Sequence, residues 1–209
     1  MPRANFRKPT LLSRLVRRVI WWIYKLQGWR IDTPMPKIDK FVIAGAPHTS
    51  NWDFVFFTGA TAEESVEPSF MGKHTLFKGW MKNFMLDMGG VPVDRTKRAN
   101  YVEQVTDAFA EAERLALVIA AEGSRSSNGE WKSGFYHIAQ AAQVPVVVAW
   151  VSWKRRILGF SEPIWPSGDY GRDLKKIADF LLSKRPNYER YRMLDAQAQR
   201  IIDGEQAVR

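Results

Sequence analysis

A histidine and a carboxylate five positions apart, His48 and Asp53, stand where an apolar run gives way to polar residues: Phe41-Val-Ile-Ala-Gly-Ala-Pro-His-Thr-Ser-Asn-Trp-Asp53. On an unbroken helix five steps turn the chain by about 500°, so the two side chains would diverge by about 140°. They face each other only if a strand ends first, His48 lies on the turn, and Asp53 falls in the first turn of a helix. Pro47 forbids a continuous helix through the junction. Ser50 or Asn51 then serves as the N-cap, with Asp53 near the positive helix end. A histidine that donates one ring nitrogen to a carboxylate keeps the other to accept a proton. Such a pair is a general base for a hydroxyl.

Two further polar clusters follow apolar runs. Gly89-Gly-Val-Pro-Val-Asp-Arg95 ends on an arginine, with Lys97 and Arg98 close behind. The run Leu115–Ala121 ends on Glu122-Gly123-Ser124-Arg125. Guanidinium forks match phosphate oxygens in pairs, and parallel α/β sheets bind ligands beyond the C-terminal ends of their strands. These residue types point to an enzyme that deprotonates a hydroxyl on a phosphate-bearing substrate. No serine elbow, Walker loop or Gly-x-Gly-x-x-Gly competes with that reading. His74 and His137 have no ligand spacing to His48 and are expected as ordinary histidines, so no metal is expected.

The elements that must position these groups follow from periodicity. Residues 11–29 read as a helix with Leu12, Leu15, Val16, Val19, Ile23 and Leu26 on one face and Arg14, Arg17, Arg18 and Lys25 on the other. Its interior charges make it a poor membrane span or signal peptide. It is either an interfacial helix, with Trp22 on the apolar side, or a first helix packed on its own domain. Residues 30–40, with Pro34 and Pro36, read as a connector. Strands are expected at 41–46, 69–73, 115–121 and 144–152, with a short one ending near Arg95 and another near 154–160. Helices are expected at 51–62, 99–115, 134–143 and 171–184, and the polar tail after Pro186 reads as a helix of little information. Trp52 puts an indole beside His48; next to an apolar run it reads as core, the alternative being a wall for the acyl thioester. Met71, Phe77, Trp80, Met81, Phe84, Met85 and Met88 either line an acyl tunnel or fill the core. Arg155 and Arg156 read as a solvated strand end. Alternating strands and helices predict a single α/β domain whose central sheet is largely parallel or mixed, flanked by helices. Residues 1–30 form a basic arm and amphipathic helix, and residues 31–209 the domain proper.

The chain has 209 residues, no cysteine and a formal net charge of +9. Disulfides and thiolate chemistry are thereby excluded. Arg3, Arg7, Lys8, Arg14, Arg17, Arg18, Lys25 and Arg30 all precede the first acid, Asp32. An arm of this kind seeks anions, whether acidic lipid or nucleic acid. Nine tryptophans favour a membrane interface, although such rings also stack on bases.

The blocks His48-Thr-Ser-Asn-Trp-Asp53, Gly90-Val-Pro-Val-Asp-Arg95, Glu122-Gly-Ser-Arg-Ser126 and Val144-Pro-Val-Val-Val-Ala-Trp150 resemble, in order and spacing, the four blocks of the glycerolipid (lysophosphatidic acid) acyltransferase superfamily. The resemblance covers roughly residues 40–155. It implies a glycerol-3-phosphate acyltransferase-like fold and transfer of a fatty acyl group from acyl-CoA or acyl-carrier protein to a lyso-lipid hydroxyl, with no cofactor. His48 would be the general base and Asp53 its orienting acid. Arg95 and Arg125 would hold the acceptor's phosphate. Glu122 and Gly123 would shape the acceptor pocket, Ser124 would offer a hydroxyl, and Lys73 and Lys132 match basic positions of the family. Anionic membrane lipids would be partners and nucleic acid would not, and the protein would sit peripherally on the cytoplasmic face of the cell membrane. Val148 departs from the family, standing where the fourth block has a second proline. The chain is also short for the family, which bears on the acceptor more than on the reaction and leaves open a different lyso-lipid acceptor. The competing class, from the basic, Trp-rich composition, is a non-catalytic module that binds anionic membranes or nucleic acid.

Overall fold

The computed structural model describes residues 9–46, 52–79, 81–93, 101–123 and 128–208. Seven strands form one sheet in the order β1-β7-β6-β2-β5-β3-β4. They are β1 (Arg30–Ile31), β2 (Lys40–Ala46), β3 (Pro68–Lys73), β4 (Gly90–Val93), β5 (Leu115–Ala120), β6 (Val146–Ser152) and β7 (Ile157–Phe160). All neighbouring strands run parallel except β6 and β7. The expected α/β architecture with a largely parallel sheet is therefore present, with one antiparallel pairing near an edge. The segment 30–40, read as a connector, contributes the short edge strand β1.

Alternation along each strand sorts its side chains onto two covered faces. Val42, Ala44, Leu117, Val146 and Val148 pack with α4 (Tyr101–Glu111), α5 (Gly134–Ala141), α6 (Tyr170–Lys184) and α7 (Glu189–Val208). Phe41, Ile43, Ala116, Val147 and Ala149 face the other way, onto α1 (Leu11–Leu26), α2 (Trp52–Glu63) and Trp29. The short α3 (Met81–Asp87) leads into β4. Phe77 and Met88 are buried, while Met81, Phe84 and Met85 are half-buried. Val148 is fully buried and donates its N–H to Ser161 Oγ at 2.9 Å. A proline there would have no proton to give, so within β6 this N–H is satisfied by Ser161, just past the end of β7.

Helix α1 is both packed and exposed. Ser13, Ile20 and Tyr24 are buried against the domain. At its N-terminus Asp87 Oδ2 accepts from Thr10 N at 2.9 Å and from Ser13 Oγ at 2.8 Å. Arg17, expected on a solvated face, turns inward to the Asp87 carbonyl and pairs with Glu67 at 3.0 Å. The apolar arc points away: Leu11, Leu12, Leu15, Val19, Trp22 and Leu26 are exposed, from 48% at Val19 to 79% at Leu26. On a helical projection these six share one arc of about 100°, with Arg14, Arg18 and Lys25 along its flank. No helix among the described residues is long and apolar enough to cross a membrane.

Candidate functional site

The parallel registers bring the chemistry to one edge. Gly45 of β2 is level with Ala120 of β5, and Lys73 of β3 is level with Val93 of β4. The first, second and third blocks, and Lys73, therefore follow strand ends on the same side of the sheet. Asp53 lies in the first turn of α2, where the helix dipole is positive. Glu122 lies two residues past the end of β5 and is almost wholly buried, with 2% of its surface exposed. Gly123 turns the chain with φ +72, a region that favours glycine. A Cβ there would lie 2.8 Å from Lys132 Cε and 3.1 Å from its Nζ. Glycine thus lets the Lys132 stem cross close over the backbone of the third block. Lys132 N also donates to Ala121 O at 2.9 Å, which ties the two segments together.

Of the residues expected at the site, Asp53, Glu122, Gly123 and Lys132 meet at this edge. Lys73 ends β3 there, although its side chain lies outside what is described. His48, Arg95, Ser124 and Arg125 lie outside the described residues, as do Lys97 and Arg98.

The structure adds a corner that periodicity alone did not reveal. Between α6 and α7 the chain crosses over the site, and Arg185 Nη1 donates to Val151 O, near the end of β6, at 3.1 Å. The Arg185 guanidinium lies 3.8 Å from the Tyr188 ring centroid. Burial pushes the Tyr188 hydroxyl above its ordinary value. Arg185 and Arg190 oppose that shift, while Glu122 and Asp53 add to it, so the first and third blocks both lie within electrostatic reach of one phenol. Arg190 Nη1 is 2.5 Å from Glu122 Oε2. Tyr188 and Arg190 sit in the polar tail and Arg185 caps the helix before it, where no motif or spacing marks them.

Trp52, read as core, is 52% exposed. Its indole stacks on Phe56 one turn along α2, with centroids 6.0 Å apart. Phe56 stacks in turn on Trp29 at 4.5 Å and meets Trp153 edge-on at 5.1 Å. An aromatic ledge therefore flanks the Asp53 end of the site. The carbonyl of Gln27, just past α1, accepts from Arg156 at 2.8 Å in the β6–β7 turn. The C-terminal end of α1 thus reaches the same edge.

Residues 31–152 match the acyltransferase family model. A 1-acyl-sn-glycerol-3-phosphate acyltransferase of Streptococcus pneumoniae (strain ATCC BAA-255 / R6) is 28% identical over 182 residues, covering 81% of this chain and 66% of that protein. This chain thus spans just under two thirds of that curated relative's length. The crystal structure of the 1-acyl-sn-glycerophosphate acyltransferase PlsC from Thermotoga maritima superposes with a TM-score of 0.52 at 18% identity, over 90% of this chain and 80% of that one. At that identity the likeness is one of fold.

Proposed function

We propose that this chain, which belongs to the acyltransferase family, is an O-acyltransferase that moves a fatty acyl group from a thioester donor to the free hydroxyl of a lyso-lipid bearing an anionic head, such as 1-acylglycerol-3-phosphate. The observation that carries this reading is that Asp53, in the first turn of α2 beyond β2, and buried Glu122, beyond the parallel strand β5, lie at the same sheet edge, where the Lys132 stem crosses Gly123. In this reading His48, steadied by Asp53, takes the acceptor's hydroxyl proton as that oxygen attacks the thioester carbonyl. The new C–O bond forms, the C–S bond breaks, and the proton passes to the departing thiolate. No acyl-enzyme is required. Arg95, Arg125 and Lys73 would hold the acceptor's head with Lys132, and Ser124 would donate or accept at its glycerol part. The donor is acyl-CoA or acyl-carrier protein.

The outward apolar arc of α1 supports a peripheral seat on an anionic bilayer, because contiguous exposed apolar surface with a basic border suits an interfacial helix. Both substrates carry long chains, and α1 ends at the same edge as Asp53 and Glu122. We place this seat on the cytoplasmic face, where acyl thioesters are made.

The test is a donor-by-acceptor matrix with purified protein, reading free thiol release and the mass of the lipid product. Transfer to 1-acylglycerol-3-phosphate is expected, and His48→Ala should cost ~10²–10⁴-fold, the usual worth of a general base. Transfer to another lyso-lipid only would keep the mechanism and change the acceptor. Vesicle binding with no transfer from any donor would leave a non-catalytic membrane module.

A further inference from the structure

Helix α7 begins over the third block, outside residues 31–152 matched by the family model. Its start is pinned by close packing: a Cβ on Gly129 would lie 2.8 Å from Arg190 Cα, and Gly129 itself has φ +107. Further along, Gln197 clasps the backbone of Trp131, accepting from its N–H at 2.8 Å and donating to its carbonyl at 2.9 Å. Arg200 then pairs with Glu130. The helix is thus fastened to the 128–132 segment that also carries Lys132. These ties hold Arg190 in one place, with its guanidinium 2.5 Å from Glu122 Oε2.

The burial of this pair is unequal. The Glu122 side chain is 1% exposed and that of Arg190 22%. A carboxylate so deeply buried is costly without a counter-charge, so this contact differs in kind from a surface ion pair. An ionised carboxylate only accepts hydrogen bonds. Held in one orientation, it is suited to receive a hydroxyl proton donor and unsuited to a thioester.

We infer that Arg190 is a positioning residue of the acyl-acceptor site, fixing the charge and orientation of Glu122 so that its carboxylate grips a hydroxyl of the lyso-lipid. This rests on the acyl-transfer reading above. Arg190 acts through Glu122 and not on the donor. Its effect therefore falls on the acceptor's KM and on the acid side of the pH profile.

The experiment compares wild type, Arg190→Lys, Arg190→Ala, Glu122→Gln and the double variant Glu122→Gln/Arg190→Ala, with acyl-CoA as donor and 1-acylglycerol-3-phosphate as acceptor. Arg190→Ala should raise the acceptor KM by ~10–100-fold, the worth of a hydrogen bond to a charged group. The donor KM should stay put. Loss of the guanidinium favours the protonated carboxyl, so the acid limb should move to higher pH. Arg190→Lys should restore part of both effects. Adding Arg190→Ala to Glu122→Gln should change little further. Acceptor KM and acid limb unchanged in Arg190→Ala, with only its melting temperature lowered, would reduce Arg190 to a structural tie and overturn the inference. So would equal rises in both KM values, or single effects that multiply in the double variant. Should Arg190→Ala fail to fold, Arg190→Lys decides by the same acceptor and pH readouts. Where the donor-by-acceptor matrix yields a different lyso-lipid acceptor, the same variants are compared with that one. Wild type lacking thiol release with every lyso-lipid would instead defeat the acyl-transfer reading, and this inference with it.

Discussion

Helices α1 and α6 carry similarly two-faced sequences, yet α6 buries its apolar stripe whole while α1 buries only part of its apolar surface. In α6 the apolar stripe Leu174, Ile177, Ala178 and Leu181 is sunk into the core. In α1 the buried residues are Ser13, Ile20 and Tyr24, helped by Arg17, and the apolar arc from Leu11 to Leu26 is left outside. A periodic pattern tells that a helix has an apolar side and a polar side. It does not tell which side meets the domain. In α6 the sheet takes up the apolar side. In α1 the domain supplies Asp87, which binds Thr10 and Ser13, and the apolar side is left for something beyond the chain.

The comparison breaks most readily through its leucines. Leu174→Ala should cost ~2–5 kcal/mol of stability, since Leu174 is fully buried and its removal leaves a cavity. Leu15→Ala should change stability by less than ~0.5 kcal/mol, as an exposed substitution does. The same Leu15→Ala protein should bind anionic vesicles more weakly. Urea titration and vesicle sedimentation measure the two effects side by side. A loss of stability in Leu15→Ala comparable to that in Leu174→Ala would mean that the arc is packed in solution and is no membrane face.

Much of this was legible in advance, for identifiable reasons. The strands at 41–46, 115–120 and 146–152 are apolar runs covered on both faces, and such runs announce themselves. Asp53, Glu122 and Gly123 could be placed at one edge because parallel strands end together, whereas Lys132 was implied only by the family resemblance. What escaped is non-local. Strand β1 is two residues long, too short for any period, and it exists because β7 offers it an edge. Arg190 meets Glu122 across 68 residues of chain, with no spacing to betray it. Trp52 departs from the core reading: a neighbouring apolar run suggests burial, but at the first turn of α2 its ring lies outward on Phe56.

Each helix also has a polar fastening, and these two can be set against one another. On α6, Asp173 is 1% exposed and accepts from Tyr136 Oη at 3.0 Å, Ser167 N at 2.6 Å, Ser167 Oγ at 2.8 Å and Lys176 Nζ at 2.8 Å. Burial pushes this carboxyl up, but the Lys176 ammonium, both Ser167 donors and the Tyr136 hydroxyl outweigh it and hold it below the usual carboxylate range. A carboxyl lowered on folding adds stability that is complete above the unfolded value of ~3.9 and is lost as pH falls through the folded value. Asp173→Asn should therefore cost ~1.5–3 kcal/mol at neutral pH. The gap to wild type should close as pH falls below about 4. Urea midpoints from pH 7 downward report this, and a gap that stays constant into acid would show that the charge of Asp173 contributes nothing.

The smallest expected effect concerns the basic border of α1, and it asks what the exposed arc faces. Near an anionic bilayer surface each lysine or arginine adds ~1 kcal/mol of attraction, which fades within a Debye length of ~10 Å at 0.1 M salt. Arg14→Gln and Arg18→Gln should each weaken binding to phosphatidylglycerol-containing vesicles by about fivefold at low salt. Lys25→Gln should do less, because its ammonium already lies 2.5 Å from Glu63. High salt should erase all three differences. The Leu15→Ala loss should persist there, since burial of apolar surface is not screened. If instead the arginine variants bound uncharged vesicles more weakly by the same factor, their role would be in holding the helix and not in meeting lipid charge. The outward arc would then be matched to a surface without anions.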